Sequence, residues 1–366
     1  MGIAALLAGT SLYLFSASLP VYLHRTRGYP LDAVGILVGL ASVAQLVASL
    51  AVGPFLDRRG ARIAMRLGAA SYALAAVLFL LGGSLLAVVA ARILQGIGIA
   101  LVLPSVFSIV PAVVARNMQG TALGLVGAIN NVALAAAPPL GLFLLARSPQ
   151  LLFAAAMAAA AVGFGMSWLL RVGLPIKEPG RLLKYRTSWT ALYAITFLCV
   201  VYWGVVTAFL PVEVPSSQVP NVGWFFTADA VGVMAARIPA GYLADRFGAR
   251  WLLVIGAVTT ASAIGLLTLP ASLASLVIAG IATGVSAALM LPPILLELTK
   301  RSNDTDRGTA MALYNTSFAA AVGTGSLAGA FLVQGIGFHR TLFLTMVLAL
   351  AGAPVALAAV RRIENY

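Results

Sequence analysis

Three charged side chains in this sequence stand where charge is costly: Arg92, Asp229 and Arg237. Asp229 sits in Phe225-Phe226-Thr227-Ala228-Asp229-Ala230-Val231-Gly232, and Arg92 in Ala90-Ala91-Arg92-Ile93-Leu94-Gln95-Gly96. Placing a charge deep in lipid costs at least about 2.5 kcal/mol, so such a group should face a partner, a solute or a polar interior. An acid at that depth beside a cation can take up and release a proton as burial and charge pairing compete. Asp229 is therefore expected to carry a proton, with Arg92 as its electrostatic partner; mutual neutralisation is the alternative. Arg237, two turns from Asp229, is expected to snorkel or to pair with Glu297. Other chemistries find little support. Cys199 is the single cysteine, so an intrachain disulfide is excluded. No cysteine, histidine and carboxylate cluster has metal-ligand spacing, and His24 and His339 are isolated. No Gly-x-x-x-x-Gly-Lys-Ser/Thr loop offers a nucleotide site. The expectation is a non-enzyme without cofactor or metal.

The elements that must position these residues are membrane helices. Of 366 residues, 61% are hydrophobic and 9% charged, against roughly 25% charged in a soluble domain. A spanning helix needs about 20 mostly apolar residues. Twelve such stretches occur, at 2–23, 32–56, 62–82, 84–112, 119–146, 149–171, 188–211, 221–244, 250–270, 272–298, 306–334 and 339–361. The apolar runs are continuous rather than alternating, which excludes a barrel. The reading is an all-α membrane protein.

The net charge of +13 could suggest nucleic acid, but its distribution is that of a membrane protein. With the N-terminus inside, 17 of the 23 basic residues fall on the inner side, four on the outer side and two at depth. This positive-inside bias puts both termini in the cytoplasm. The expected location is the inner membrane of a prokaryote, with basic side chains touching anionic lipid and no nucleic-acid partner.

The chain repeats itself. Gly53, Asp57, Arg58, Gly60 and Arg62 recur as Gly241, Asp245, Arg246, Gly248 and Arg250, an offset of 188 residues. The same offset maps Gly35 onto Gly223, Pro104 onto Pro292 and Gly120-Thr121-Ala122 onto Gly308-Thr309-Ala310. Two six-helix bundles are expected, 1–171 and 188–366, joined by a basic linker at 172–187. Parallel repeats of this kind place a solute between the halves near the bilayer midplane and rock about it.

These residues resemble the major facilitator superfamily over essentially the whole length. The loop Gly53-x-x-x-Asp57-Arg58-x-Gly60-x-Arg62, present in both halves, carries the resemblance, with Ala61 and Ala249 at the first basic position of the pattern. Arg92-Ile-Leu-Gln95-Gly96 is similar to the family's second motif. Ala137-Pro138-Pro139-Leu140-Gly141 is similar to the antiporter motif, with alanine where glycine is usual. The resemblance implies the family's twelve-helix fold and alternating access. It implies that Asp57 faces the start of helix 11 near Gly308, and Asp245 the start of helix 5 near Gly120, as gates that break when the cytoplasmic side opens.

Polar and aromatic residues expected to line the cavity are Tyr13, Gln45, Asn130, Asn131, Tyr202, Trp203, Tyr314 and Asn315, beside Arg92 and Asp229. The spacings Gly35-x-x-x-Gly39, Gly280-x-x-x-Gly284 and Gly325-x-x-x-Gly329 let helices approach closely. The expected function is secondary transport of a small solute by a monomer. Proton-coupled export of amphipathic or drug-like compounds is the first reading; uptake or exchange of small organic anions is the alternative. A non-transporting receptor or scramblase stands behind both.

Overall fold

The computed structural model describes residues 2–81, 84–113, 118–168, 185–303 and 306–361. Twelve α-helices follow in order: α1 (Gly2–Val21), α2 (Leu31–Arg59), α3 (Ala61–Leu81), α4 (Leu85–Val113), α5 (Gln119–Arg147), α6 (Pro149–Trp168), α7 (Thr190–Glu213), α8 (Gly223–Phe247), α9 (Ala249–Leu266), α10 (Leu273–Lys300), α11 (Arg307–Ile336) and α12 (Phe338–Arg361). No strand occurs among the described residues. Ten candidate spans are long and apolar enough to cross a membrane. Asp229 and Arg237 keep α8 below that mark, which is the sequence signature of a helix with a polar task. The described residues leave out 169–184 and with them most of the expected linker.

The expected stretches agree with these helices to within a few residues. The ninth departs most, with α9 ending at Leu266 instead of 270; α1 runs into a π-helical turn, Tyr22–Thr26, before the chain reverses. Gly28 (φ 72°) supplies that reversal.

Helix packing repeats with the sequence. In the first half α1 packs on α5 and α6, α2 on α4, and α3 on α4 and α6. In the second half α7 packs on α11 and α12, α8 on α10, and α9 on α10 and α12. The halves meet through α2 with α11, α5 with α8, and α1 with α7, the pairs that a two-fold relation between the bundles requires. The turns repeat as well. Gly60 (φ 81°, ψ 151°) and Gly248 (φ 77°, ψ 159°) occupy the same backbone region, which is essentially open to glycine alone.

The face carrying residues 25–30 and 214–222 is called distal below, and the face of the Gly60 and Gly248 turns proximal. The distal seam is tight. A Cβ at Gly35 would collide with Phe209, Ala330 and the Ser326 backbone, and one at Gly39 with Leu327 and Ser326. Within the second half, Gly204 and Gly325 bring α7 and α11 into backbone contact. The three glycine spacings are thus helix-packing faces. Toward the proximal face the same helices expose large side chains, Val47 and Leu50 on α2 and Ile238 and Tyr242 on α8.

Candidate functional site

Asp229 is 5% exposed in the distal third of α8, turned toward α10. The Thr283 hydroxyl lies 2.8 Å from its Oδ1. Gly280 and Gly284 flank Thr283 by one turn or less, and a Cβ at either would press on the α8 backbone at Phe225 or Asp229. Two glycines thus bring α10 close enough for one hydroxyl to reach the acid. On the distal side Trp203, Phe225 and Phe226 form an edge-and-face cluster, with ring centroids 5.2–6.4 Å apart. Both phenylalanines are fully buried, so aromatic packing closes the way from Asp229 to the distal face.

Arg92 does not reach Asp229. Its Nε donates to Leu37 O at 3.0 Å, Nη2 to Val38 O, and Nη1 to Gln95 Oε1 at 2.6 Å. The reason is topological. Arg92 is seven residues into α4, which packs on α2 and α3, whereas α8 packs on α10 and α5. The guanidinium ties two α2 carbonyls to α4, a cation neutralised by backbone dipoles. Gly96, one turn on, allows this approach, since a Cβ there would strike the Ala41 carbonyl.

The expected Arg237–Glu297 pair is also replaced. Glu297 accepts from Arg301 at 3.1 Å and stands 3.5 Å from Lys300, closing the end of its own helix. Arg237 is exposed and lies against α5, where a Cβ on Gly127 would stand 2.9 Å from its Nη1.

The other expected lining residues divide. Tyr13 and Asn130 meet across α1 and α5, with Asn130 Nδ2 donating to the tyrosine oxygen at 3.1 Å. Asn131 is 8% exposed, and its Nδ2 has no partner among the described residues; nor does the buried Tyr314 hydroxyl. Tyr202 is buried near Asp229. Gln45 and Asn315 are half-buried. Of the repeated loops, Arg58 and Arg246 are exposed, and Arg62 and Arg250 half-buried. The Asp57 and Asp245 side chains, and Gly120 and Gly308 opposite, lie outside the described set.

Two further positions escape sequence reading. Thr283 is one hydroxyl among many, and only the flanking glycines hint at it. Arg25 counts in sequence merely as a loop charge. In the structure its Nη2 donates to Val212 O and Val214 O, both at 3.2 Å, and its Nη1 to Ser216 Oγ at 3.4 Å. A cation from the first half thereby caps the carbonyl end of α7 in the second, where helix dipoles favour it.

Against this geometry stands the match to a family model, the Major Facilitator Superfamily, over residues 1–216 and 192–365. The chain belongs to the major facilitator superfamily. An uncharacterised MFS-type transporter of Salmonella typhimurium is 25% identical over 364 residues, covering 92% of this chain and 89% of that one. Multidrug resistance protein 1 of Bacillus subtilis is 25% identical over 287 residues, 73% of this chain and 72% of the relative. A POT family transporter solved with 5-aminolevulinic acid superposes with a TM-score of 0.83 at 13% identity, over 98% of this chain and 94% of that one. That likeness speaks to the fold. Asp229 and Arg237 both lie on α8, one of the helices through which the halves meet.

Proposed function

We propose that this superfamily member is a proton-coupled exporter of small amphipathic solutes, working by alternating access, with Asp229 as its proton site. One observation carries the reading. Asp229 is a buried acid at membrane depth whose side-chain partner is a neutral hydroxyl, with no cation paired to it among the described residues. A bare carboxylate there is expensive, and a proton removes the charge. Transfer of that proton to the other side then follows from exposing α8 alternately to the two faces. Arg92 serves as a structural clamp. Arg25 and the aromatic cluster pack the distal side, which supports a state open proximally, toward the cytoplasm under the positive-inside orientation. The repeated loops at Asp57 and Asp245 would close the proximal side in the other state. The resemblance to a protein named for multidrug resistance supports the export direction.

The test is proton movement in everted vesicles acidified inside, challenged with lipophilic cations, neutral drugs and carboxylates. Solute-triggered proton efflux that Asp229→Asn abolishes is the expected result. Undiminished efflux in that variant sinks the proton assignment.

A further inference from the structure

The site above leaves two hydrogen-bond donors on the α5–α8 seam without an acceptor. Arg237 is exposed and makes no hydrogen bond or ion pair among the described residues. Asn131, 92% buried by its 8% exposure, has an amide nitrogen without a partner. Both belong to one stripe. Along α5 the residues facing α8 come every fourth position. Gly127 meets Arg237, Ala135 O accepts from Thr227 at 2.6 Å, and Pro139 O accepts from Asn221 at 3.0 Å. Asn131 is the missing step in that series. Positions four apart on a helix have Cβ atoms about 5–6 Å from each other, so the guanidinium set against Gly127 and Asn131 are successive groups on that face and bound the volume between them.

We propose that this volume is a binding subsite for the carboxylate, or an equivalent planar anion, of an amphipathic solute. The inference rests on the transporter reading and adds the chemical class of what is carried. Four features support it. The guanidinium has five donors in a fork that matches a carboxylate. The amide of Asn131 supplies another donor. The acid nearest along α8, Asp229, is eight residues away, about 12 Å of helix rise, and is turned toward Thr283 on α10. Gly127 keeps the guanidinium flat on α5, since any side chain there would push it away. A lipid phosphate is a poorer occupant: Arg237 is ten residues, about 15 Å, from the proximal end of α8, well inside the hydrocarbon. An unpaired arginine at that depth is retained for what enters beside it.

The test is equilibrium binding to the purified full-length chain in uncharged detergent, read by tryptophan fluorescence and thermal shift. The probes are 2-naphthoate and its neutral isostere 2-naphthamide, with benzoate and 4-phenylbutyrate completing a small panel. The expected result is binding of the carboxylates, with the amide weaker by about tenfold or more, the scale of losing charge-assisted hydrogen bonds. Arg237→Gln should erase the preference. Gly127→Ala, whose new Cβ meets only the flexible end of a side chain, should fold normally and weaken carboxylate binding; it decides the matter if Arg237→Gln does not fold. Equal affinity for naphthoate and naphthamide, no binding by any carboxylate, or an unchanged preference in both variants overturns the proposal. Competition by phosphatidylglycerol would also overturn it, in favour of a lipid headgroup. The assay contains no gradient. Failure of proton coupling in vesicles therefore removes the exporter mechanism and leaves this subsite standing, while loss of carboxylate preference does the reverse.

Discussion

The Thr283 hydroxyl on α10 is 2.8 Å from Oδ1 of Asp229 on α8, and it stands 2.8 Å from the Gly280 carbonyl as well. One hydroxyl hydrogen can serve only one of these acceptors at a time. When Asp229 is ionised the hydroxyl donates to it. When Asp229 is protonated the acid can donate to the hydroxyl oxygen, and the hydroxyl can turn to Gly280. Thr283→Val removes this exchange while keeping the shape. We expect proton-coupled transport to slow by about tenfold, in line with about 1.5 kcal/mol for a hydrogen bond to a charged group. Thr283→Ser should restore most of it. Solute-dependent proton flux in vesicles reads both.

Arg92 should act on stability rather than on solute. Arg92→Gln removes the charge-assisted hydrogen bonds to two α2 carbonyls, about 1.5–3 kcal/mol each. The expected outcome is a clear fall in melting temperature, with solute affinity of the folded fraction unchanged. A variant with parental melting behaviour and lost affinity would return Arg92 to the cavity.

Arg25 ties the first half to the end of α7 at the distal face. Arg25→Ala should raise the population of distally open molecules. Val219, 1% exposed, is a reporter for that opening. A cysteine there should label slowly from the distal side in the parent and several times faster in the Arg25→Ala background. The native Cys199 is buried, so its own labelling should contribute little.

The turns at Gly60 and Gly248 should tolerate no side chain. Alanine at either position forces a backbone conformation costing about 1–3 kcal/mol. Nothing lies within 4 Å of a Cβ there, so the loss comes from the backbone alone. Asparagine should recover little, because ψ near 151–159° is far from the left-handed helical region that asparagine favours. Melting temperatures of the four single variants check this.

Helix number, helix bounds and the duplicated architecture were legible because lipid imposes a length and an apolarity on each span, and because the loop motif repeats at a fixed offset. The partners of the buried charges were not legible. The cost of a charge in lipid turns Arg92 inward, yet several helices lie inward, and backbone carbonyls, which no sequence pattern marks, satisfy it. The pairing of Arg237 with Glu297 failed for a similar reason. Lys300 and Arg301, three and four residues along the same helix, reach Glu297 first, and local partners outcompete distant ones. Asn131 was recognised as inward-facing, but its missing acceptor became visible only once α5 and α8 were side by side.

The matched glycine turns and matched packing have a consequence for descent. An element of six membrane crossings ends on the face where it began. Two copies of an ancestral gene could therefore fuse head to tail through a loop, and the second copy would enter the bilayer in the same sense as the first. An ancestor with an odd number of crossings would have been inverted by the same fusion, and its two copies would be related by a two-fold axis in the membrane plane. The parity of the half determines that this chain carries the same turn twice on one side of the membrane, and it makes a paired assembly of separate six-helix chains the natural precursor.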